Sequence, residues 1–513
     1  MSFTAIGIYI GKALAPGAVS ISPGGSNQLQ DVINILDEKY VDTVSGGKLY
    51  EEAITEMLHK LDPHSAYIPA KDAKRAAEDI QGKFGGVGIR FALIRDTICV
   101  TNVIAGSPSE RAGLHGGDKI LKIDAKEVGG KIKNTDEVMG LLRGVEGTAV
   151  NVTIMRNRQQ FVRKIVRGSI PVASVVAAHM LDAGTGYIRI DQFSVATAEE
   201  FRQAAYDLKN KGMSKLVLDL RDNPGGVLQS AEEIADEFLP KGRGIVTVKG
   251  AHIRTEKLSS SGNGKLTNIK VAILMNEGSA SASEVLAGAL QDNDRATIIG
   301  RRSFGKGYVQ QDFALRDGSD LRLVIARYYT PSGRSIQKPY DGNIADYYHD
   351  ADRREINGEL FAPDTTLFVD SLKFKTVSGR TVYGGGGIMP DIFVALDTSN
   401  FSWYYIQLRY SQAFQNFAFD YVAGKRQQWP SADAFDRTFT VTDKMATDLA
   451  HYAARYHEVP FDGKALKPAM PFIRRTLKGE IARQLFMERG YFLVTEKDDN
   501  DVKRALKFFQ TGK

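Results

Sequence analysis

Apolar and polar positions alternate in three different textures along the chain. Between Gln28 and Arg75 the apolar residues fall at helical spacing: Val32, Ile33, Leu36 and Tyr40, then Leu49, Ala53, Met57, Leu58 and Leu61. Asp62-Pro63 ends the second helix, because a residue before proline is driven out of helical geometry. From Gln81 the texture shortens. Glycine-dense Phe84-Gly85-Gly86-Val87-Gly88-Ile89 reads as a loop leading into a strand, with Thr97–Val103 a second strand. A helix follows over Thr135–Arg143, and a last strand over Ala149–Arg156, so this stretch predicts a small β-rich domain. From Ile170 strands and helices alternate. Gly186–Ile190, Leu216–Leu220, Val271–Met275 and Thr297–Gly300 are strands; Ala198–Lys211, Gly226–Leu239 and a segment ending at Leu290 are helices. Nearly continuous apolar strands in β-α-β order predict a parallel sheet covered on both faces. Leu321–Tyr329 is a longer strand, Ile344–Thr376 a polar insertion, Gly384–Val394 strand-like, and Phe401–Lys513 helical.

Composition narrows the class. The 513 residues exceed what one core usually supports, so several domains are expected. Apolar residues are 43% and charged residues 25%, as in soluble globular proteins. The net charge of +6 forms no basic run interleaved with aromatics, which argues against nucleic-acid binding. One cysteine, Cys99, excludes a disulfide framework within the chain and reads as a buried thiol in a strand. The eight histidines show no metal-ligand spacing, so no metal is expected. Phe3–Leu14 is mostly apolar but too short for a bilayer span, which needs about 20 residues. It fits the tail of a signal peptide or membrane anchor, and equally a short strand or tag.

Three segments carry candidate chemistry. Asn276-Glu277-Gly278-Ser279-Ala280-Ser281-Ala282-Ser283-Glu284 sits where a buried strand hands over to a helix. Ser281 at a helix N-terminus would stand among free N–H groups that favour a developing oxyanion. The same residues fit a capping box, and three serines alternating with alanines leave open which one is special. Gly305-Lys306-Gly307-Tyr308-Val309-Gln310 places a lysine between two glycines. Such a lysine can deprotonate a serine if burial lowers its pKa by ~3 units, roughly 4 kcal/mol; a solvated turn lysine has the same local pattern. Asp219-Leu220-Arg221-Asp222-Asn223-Pro224-Gly225-Gly226 is a strand end turning into a helix. Its N–H groups could complete an oxyanion hole, or form an ordinary turn.

In this order, and with Leu61-Asp62-Pro63-His64-Ser65 ahead of them, the segments resemble the C-terminal processing (tail-specific) peptidases, over about residues 27–338 and again over 384–394. The resemblance implies Ser281 as nucleophile, Lys306 as general base and Gln310 as the residue orienting the lysine. It implies oxyanion donors on Ala282 and on Gly225 or Gly226, with no choice between the two glycines. It also implies a PDZ domain whose peptide site is Phe84, Gly85, Gly86, Val87, Gly88 and Ile89. Arg143 matches an arginine that couples PDZ and protease in some relatives, and a solvated helix-end arginine as well.

The implied fold is α/β multidomain: a crotonase/ClpP-like α/β protease core with an inserted β-rich PDZ domain and helical N- and C-terminal regions. The expected divisions are 1–26 (truncated signal or anchor, and linker), 27–80 (helical), 81–169 (PDZ), 170–343 with 377–398 (core), 344–376 (insertion) and 399–513 (helical). The implied activity is serine endopeptidase action on polypeptides with accessible C-termini, PDZ-gated and cofactor-free. The implied location is exported or periplasmic, with an N-terminal membrane tether. A homodimer or higher oligomer, or an adaptor protein, is a further partner for the regions beyond Tyr340. The competing readings are a catalytically dead PDZ scaffold and a crotonase-type acyl-CoA enzyme.

Overall fold

The near-continuous apolar runs become the innermost strands of a computed structural model that describes residues 26–132, 134–398 and 402–512. The apolar stub at Phe3–Leu14 lies outside these residues. The described residues form two compact units, one of 26–81 with 190–395 and the other of 82–189 with 396–512.

In the first unit the strands Lys215–Asp219, Lys270–Met275, Ala296–Gly300 and Ile392–Phe393 pair in parallel, in that order. Leu216, Val217, Leu218, Ala272, Ile273 and Leu274 are fully buried. Both faces of the sheet are covered, which is why these strands lack alternation. Asp320–Tyr329 does not join this sheet. It forms a second, antiparallel sheet with Ala66–Ile68, Gly244–Lys249 and Tyr308–Ala314. The sequence pattern predicted one sheet and missed three of these strands. Ala66–Ile68 and Tyr308–Ala314 are only partly buried, so their apolar residues are too few to stand out, whereas Gly244–Lys249 buries Ile245, Val246 and Val248 but is short and broken by Thr247.

Helix Ala282–Asp292 packs between strands of the two sheets, and all of its residues are buried. Its far end is clamped by Arg334, which has no exposed side-chain surface. An Arg334 Nη2 lies 2.9 Å from Asp292 Oδ1 and donates to Gln291 Oε1 at 2.6 Å, while Nη1 donates to the Tyr383 carbonyl.

In the second unit, Ile89–Ile94, Thr97–Val103, Lys119–Ile123, Ala149–Arg156 and Gln159–Val166 form an antiparallel sheet. Two expectations are corrected here. Ala149–Arg156 is not the last strand, since Gln159–Val166 follows it; that strand is largely exposed and reads as polar. The segment taken as a loop from Phe84 is partly strand: Lys83–Gly86 pairs with Gly168–Pro171, which anchors the glycine turn from below. Helices Trp403–Tyr410, Ala413–Tyr421, Ala432–Thr438, Asp443–Tyr456, Gly463–Thr495 and Asn500–Thr511 complete the unit. Among the described residues no helix is long and apolar enough to cross a membrane.

Removing the Arg334 clamp strands a buried carboxylate. We expect Arg334→Ala to lower unfolding free energy by about 3–5 kcal/mol in a urea titration.

Candidate active site and peptide groove

The chemistry-bearing residues of the first unit converge on one carboxylate. Strand Lys270–Met275 runs into the turn that carries Ser281, the N-cap of helix Ala282–Asp292. Ser281 has φ 54° and ψ −113°, a backbone state that only glycine adopts without strain. It is held there by Glu284, whose side chain is fully buried. Glu284 Oε2 accepts the Ser281 N–H and the Lys306 N–H, both at 2.8 Å. Its other oxygen accepts the Gly305 N–H at 2.7 Å and the Ser303 hydroxyl. The capping reading of Ser281 and Glu284 is thus half the story: the same carboxylate ties the serine turn to the lysine turn. Burial raises the Glu284 pKa, and these hydrogen bonds work against that rise.

Lys306 is fully buried, and its Nζ donates to Gln310 Oε1 at 2.7 Å. Desolvation, and after it the positive charge of Arg322, push the lysine pKa down to about 7; Glu284 and Asp62 act in the opposite sense. Arg322 is itself held in a two-pronged pair with Asp312, at 2.7 and 2.8 Å. Gln310 is oriented from behind, as its Nε2 donates to the His64 carbonyl at 2.6 Å. That carbonyl sits in a turn built by Asp62, whose carboxylate accepts the His64 N–H, the Ser65 N–H and the Ser65 hydroxyl. The Ser65 hydroxyl oxygen in turn accepts the Val324 N–H at 3.0 Å, fixing the turn to the antiparallel sheet.

The glycine turn lies against the serine turn. A Cβ on Gly225 would fall 2.8 Å from the Ser281 Cβ and 2.8 Å from the Ala282 nitrogen, so only glycine allows this approach. The two glycines differ. Gly225 N–H donates to Asn223 Oδ1 at 2.8 Å. Gly226 is bridged to Phe193, which bonds to its two neighbours: Phe193 N–H to the Gly225 carbonyl and Val227 N–H to the Phe193 carbonyl. In a parallel bridge this leaves the N–H of Gly226 itself pointing away from Phe193.

Residues that the sequence did not single out close the site. Tyr347, from helix Ile344–Tyr348 in the polar segment read as an insertion, meets His64 Nε2 at 2.9 Å through its hydroxyl. Burial, with Lys306 and Lys338, holds the His64 pKa well below its usual value. Lys338 packs over the Phe304 and Tyr347 rings and has its pKa lowered to about 8, chiefly by desolvation. A cavity of about 370 Å³, predominantly apolar, is lined by His64, Asp222, Pro224, Glu277, Gly278, Ala280, Phe304, Tyr348 and Ala351. It opens beside the residue that precedes Ser281.

In the second unit, Ile89–Ile94 is an edge strand, open on the side away from Thr97–Val103. With helix Thr135–Leu142 it frames a cavity of about 90 Å³ lined by Phe84, Val87, Gly88, Ile89, Phe91, Met139, Leu142 and Arg143. An edge strand facing a helix across an apolar slot is the geometry that accepts an extended peptide as an added strand. The Arg143 guanidinium lies 4.2 Å from the centre of the Phe84 ring.

Known families match several stretches of the chain. Residues 184–348 match the model of peptidase family S41, residues 85–161 that of the PDZ domain, and residues 404–487 that of a family of unknown function. A carboxy-terminal-processing protease of Bartonella bacilliformis is 39% identical over 349 residues, covering 65% of this chain and 79% of that protein. A protein of Staphylococcus haemolyticus named "Probable CtpA-like serine protease" is 38% identical over 303 residues, 59% of this chain and 60% of its own length. Among solved structures, the photosystem II D1 C-terminal processing protease is similar at 29% identity, with a TM-score of 0.34 over 60% of this chain and 89% of that one. The Bartonella protein's identity and coverage show the family: the chain belongs to the carboxy-terminal-processing serine peptidases of family S41, with a PDZ domain.

Proposed function

We propose that the chain cleaves polypeptides by a Ser281–Lys306 dyad. The observation that carries this is Lys306: a fully buried amine with its pKa lowered to about 7, bonded to Gln310 and tied through Glu284 to the turn of a strained serine. A neutral amine accepts a proton, whereas an ordinary lysine at neutral pH cannot. Lys306 takes the Ser281 proton as Oγ attacks the scissile carbonyl. The oxyanion is held by the N–H groups of Ala282 and Gly226; Gly226 is preferred because the Gly225 N–H is engaged with Asn223. Lys306 returns the proton to the leaving amine, and water then releases the acyl group from Ser281. Gln310 keeps the amine aimed, since its own amide is fixed by the His64 carbonyl.

The apolar cavity beside Ala280 suits an uncharged substrate side chain. The slot between Ile89–Ile94 and Thr135–Leu142 takes the substrate's C-terminal residues, with the N–H groups of the Phe84–Ile89 turn facing the carboxylate. Its small volume favours short apolar side chains. PDZ occupancy gates cleavage in this reading, with Arg143 as the coupling residue. The parallel sheet with its buried helix behind the nucleophile supports a crotonase/ClpP-like core. The chain's expected export and its expected assembly rest on the family resemblance.

The chemistry predicts a sharp mutational signature. Ser281→Ala and Lys306→Ala should each abolish turnover of an unfolded protein such as β-casein, by about 10³-fold or more. In the wild type, kcat/KM should rise with pH through a single limb near pH 7, as the Lys306 amine loses its proton. His64 cannot supply that limb, because its pKa lies well below 6.5.

Stability separates the base from a structural lysine. The Lys306 amine binds its proton less tightly folded than unfolded, so its burial costs stability at pH 6, and the cost fades as pH rises above 7. Lys306→Met should therefore be inactive yet at least as stable as wild type at pH 6 by thermal melting.

Glu284→Gln should behave oppositely. One amide group would face two N–H or O–H donors, costing about 1–3 kcal/mol for each donor left unpaired. We expect a lowered denaturation midpoint together with loss of activity.

A further inference from the structure

The helical region beyond residue 402 matches a family of unknown function over 404–487, and the second unit shows what it rests on. In the Thr97–Val103 strand side chains alternate between faces. Ile98 and Val100 point into the PDZ core. Cys99 points the other way, yet is 1% exposed. It is covered from outside by Phe419, in a cluster of its own with Ile94. A strand residue on the outer face of a small sheet is buried only if another element lies over it.

Polar contacts surround this cluster. Arg95 donates to both oxygens of Asp420, each at 2.9 Å, and Arg90 lies 3.0 Å from Glu488. The long helix Gly463–Thr495 breaks at Phe486 and Met487, where Met487 takes φ 59°. The break frees the Gln484 carbonyl from its helical partner. Asn102 of the PDZ domain donates to it at 3.1 Å, and Arg426 of the helical region at 2.7 Å. The helix thus departs from regular geometry at the place where it receives a PDZ side chain.

We propose that the C-terminal helical region is a brace for the PDZ domain, fixed to the outer face of the Ile89–Ile94 and Thr97–Val103 strands so that the two move as one body. The braced strand Ile89–Ile94 is also the open edge of the peptide slot, so the brace stiffens the surface that a peptide must join. The inference is independent of the chemistry assigned to Ser281.

The chain's one cysteine is a built-in reporter. Maleimide labelling of Cys99 in the full chain reads uncovering of this interface. Wild type should label at least about 10³-fold more slowly than the same chain unfolded in guanidinium chloride. Arg95→Asp, which sets a carboxylate against Asp420, should accelerate native labelling on the order of tenfold. The acceleration is diagnostic in sign, because loss of the Arg95 charge alone raises the thiol pKa and slows the reaction. Adding Asp420→Arg should restore protection, which simple misfolding of the PDZ domain would not do. Wild-type labelling within about tenfold of the unfolded rate, or a double variant as fast as the single one, overturns the proposal.

Discussion

The buried carboxylate of Glu284 is the constraint on which the site depends. Four donors from two separate loops meet on its two oxygens. A charge placed in the interior is costly unless it is fully hydrogen-bonded, so the loops have no cheap alternative to closing on it. Closing them sets the backbone of Ser281 and of Lys306 against one another through a shared pair of lone-pair positions. The positive-φ strain at Ser281 is sustained by this bond and by the close packing of Gly225. The lysine pKa is lowered because burial, with Arg322, outweighs the opposing charges of Glu284 and Asp62, and the Glu284 carboxylate bonds the lysine's backbone N–H.

The support extends through layers of decreasing sequence proximity. Gln310 lies four residues from Lys306, on the next strand. The turn that holds Gln310 comes from Asp62–Ser65, and the hydroxyl facing His64 comes from Tyr347. One local geometry therefore draws on the turn after the N-terminal helices, both sheets and the polar segment after Tyr340. Residues read as an insertion form part of the wall of the cavity, through Tyr348 and Ala351.

What the sequence disclosed follows from burial. Leu216–Leu220 and Val271–Met275 were legible because both faces are covered and no polar position interrupts them. Ala66–Ile68, Tyr308–Ala314 and Gln159–Val166 were not, because their partly exposed faces dilute the apolar signal. Ser281, Lys306 and Gln310 were singled out by the family resemblance rather than by local pattern; Glu284 accepts the Ser281 and Lys306 N–H groups, and Gln310 accepts from the Lys306 amine. The role of Glu284 was hidden behind a local explanation that is also true, since it does cap the helix. Tyr347 and His64 are separated by 283 residues, and no local pattern signals such a pair. Gly225 and Gly226 differ in where their N–H groups point, which composition does not encode.

The backbone of Ser281 carries an evolutionary corollary. At φ 54° and ψ −113° a β-branched side chain is more strained than serine, so threonine, which has the same hydroxyl, is a poor substitute. Glycine is the residue that this turn would hold without strain. Under the proposed chemistry, then, the substitution that relaxes this turn is also the one that removes the nucleophile.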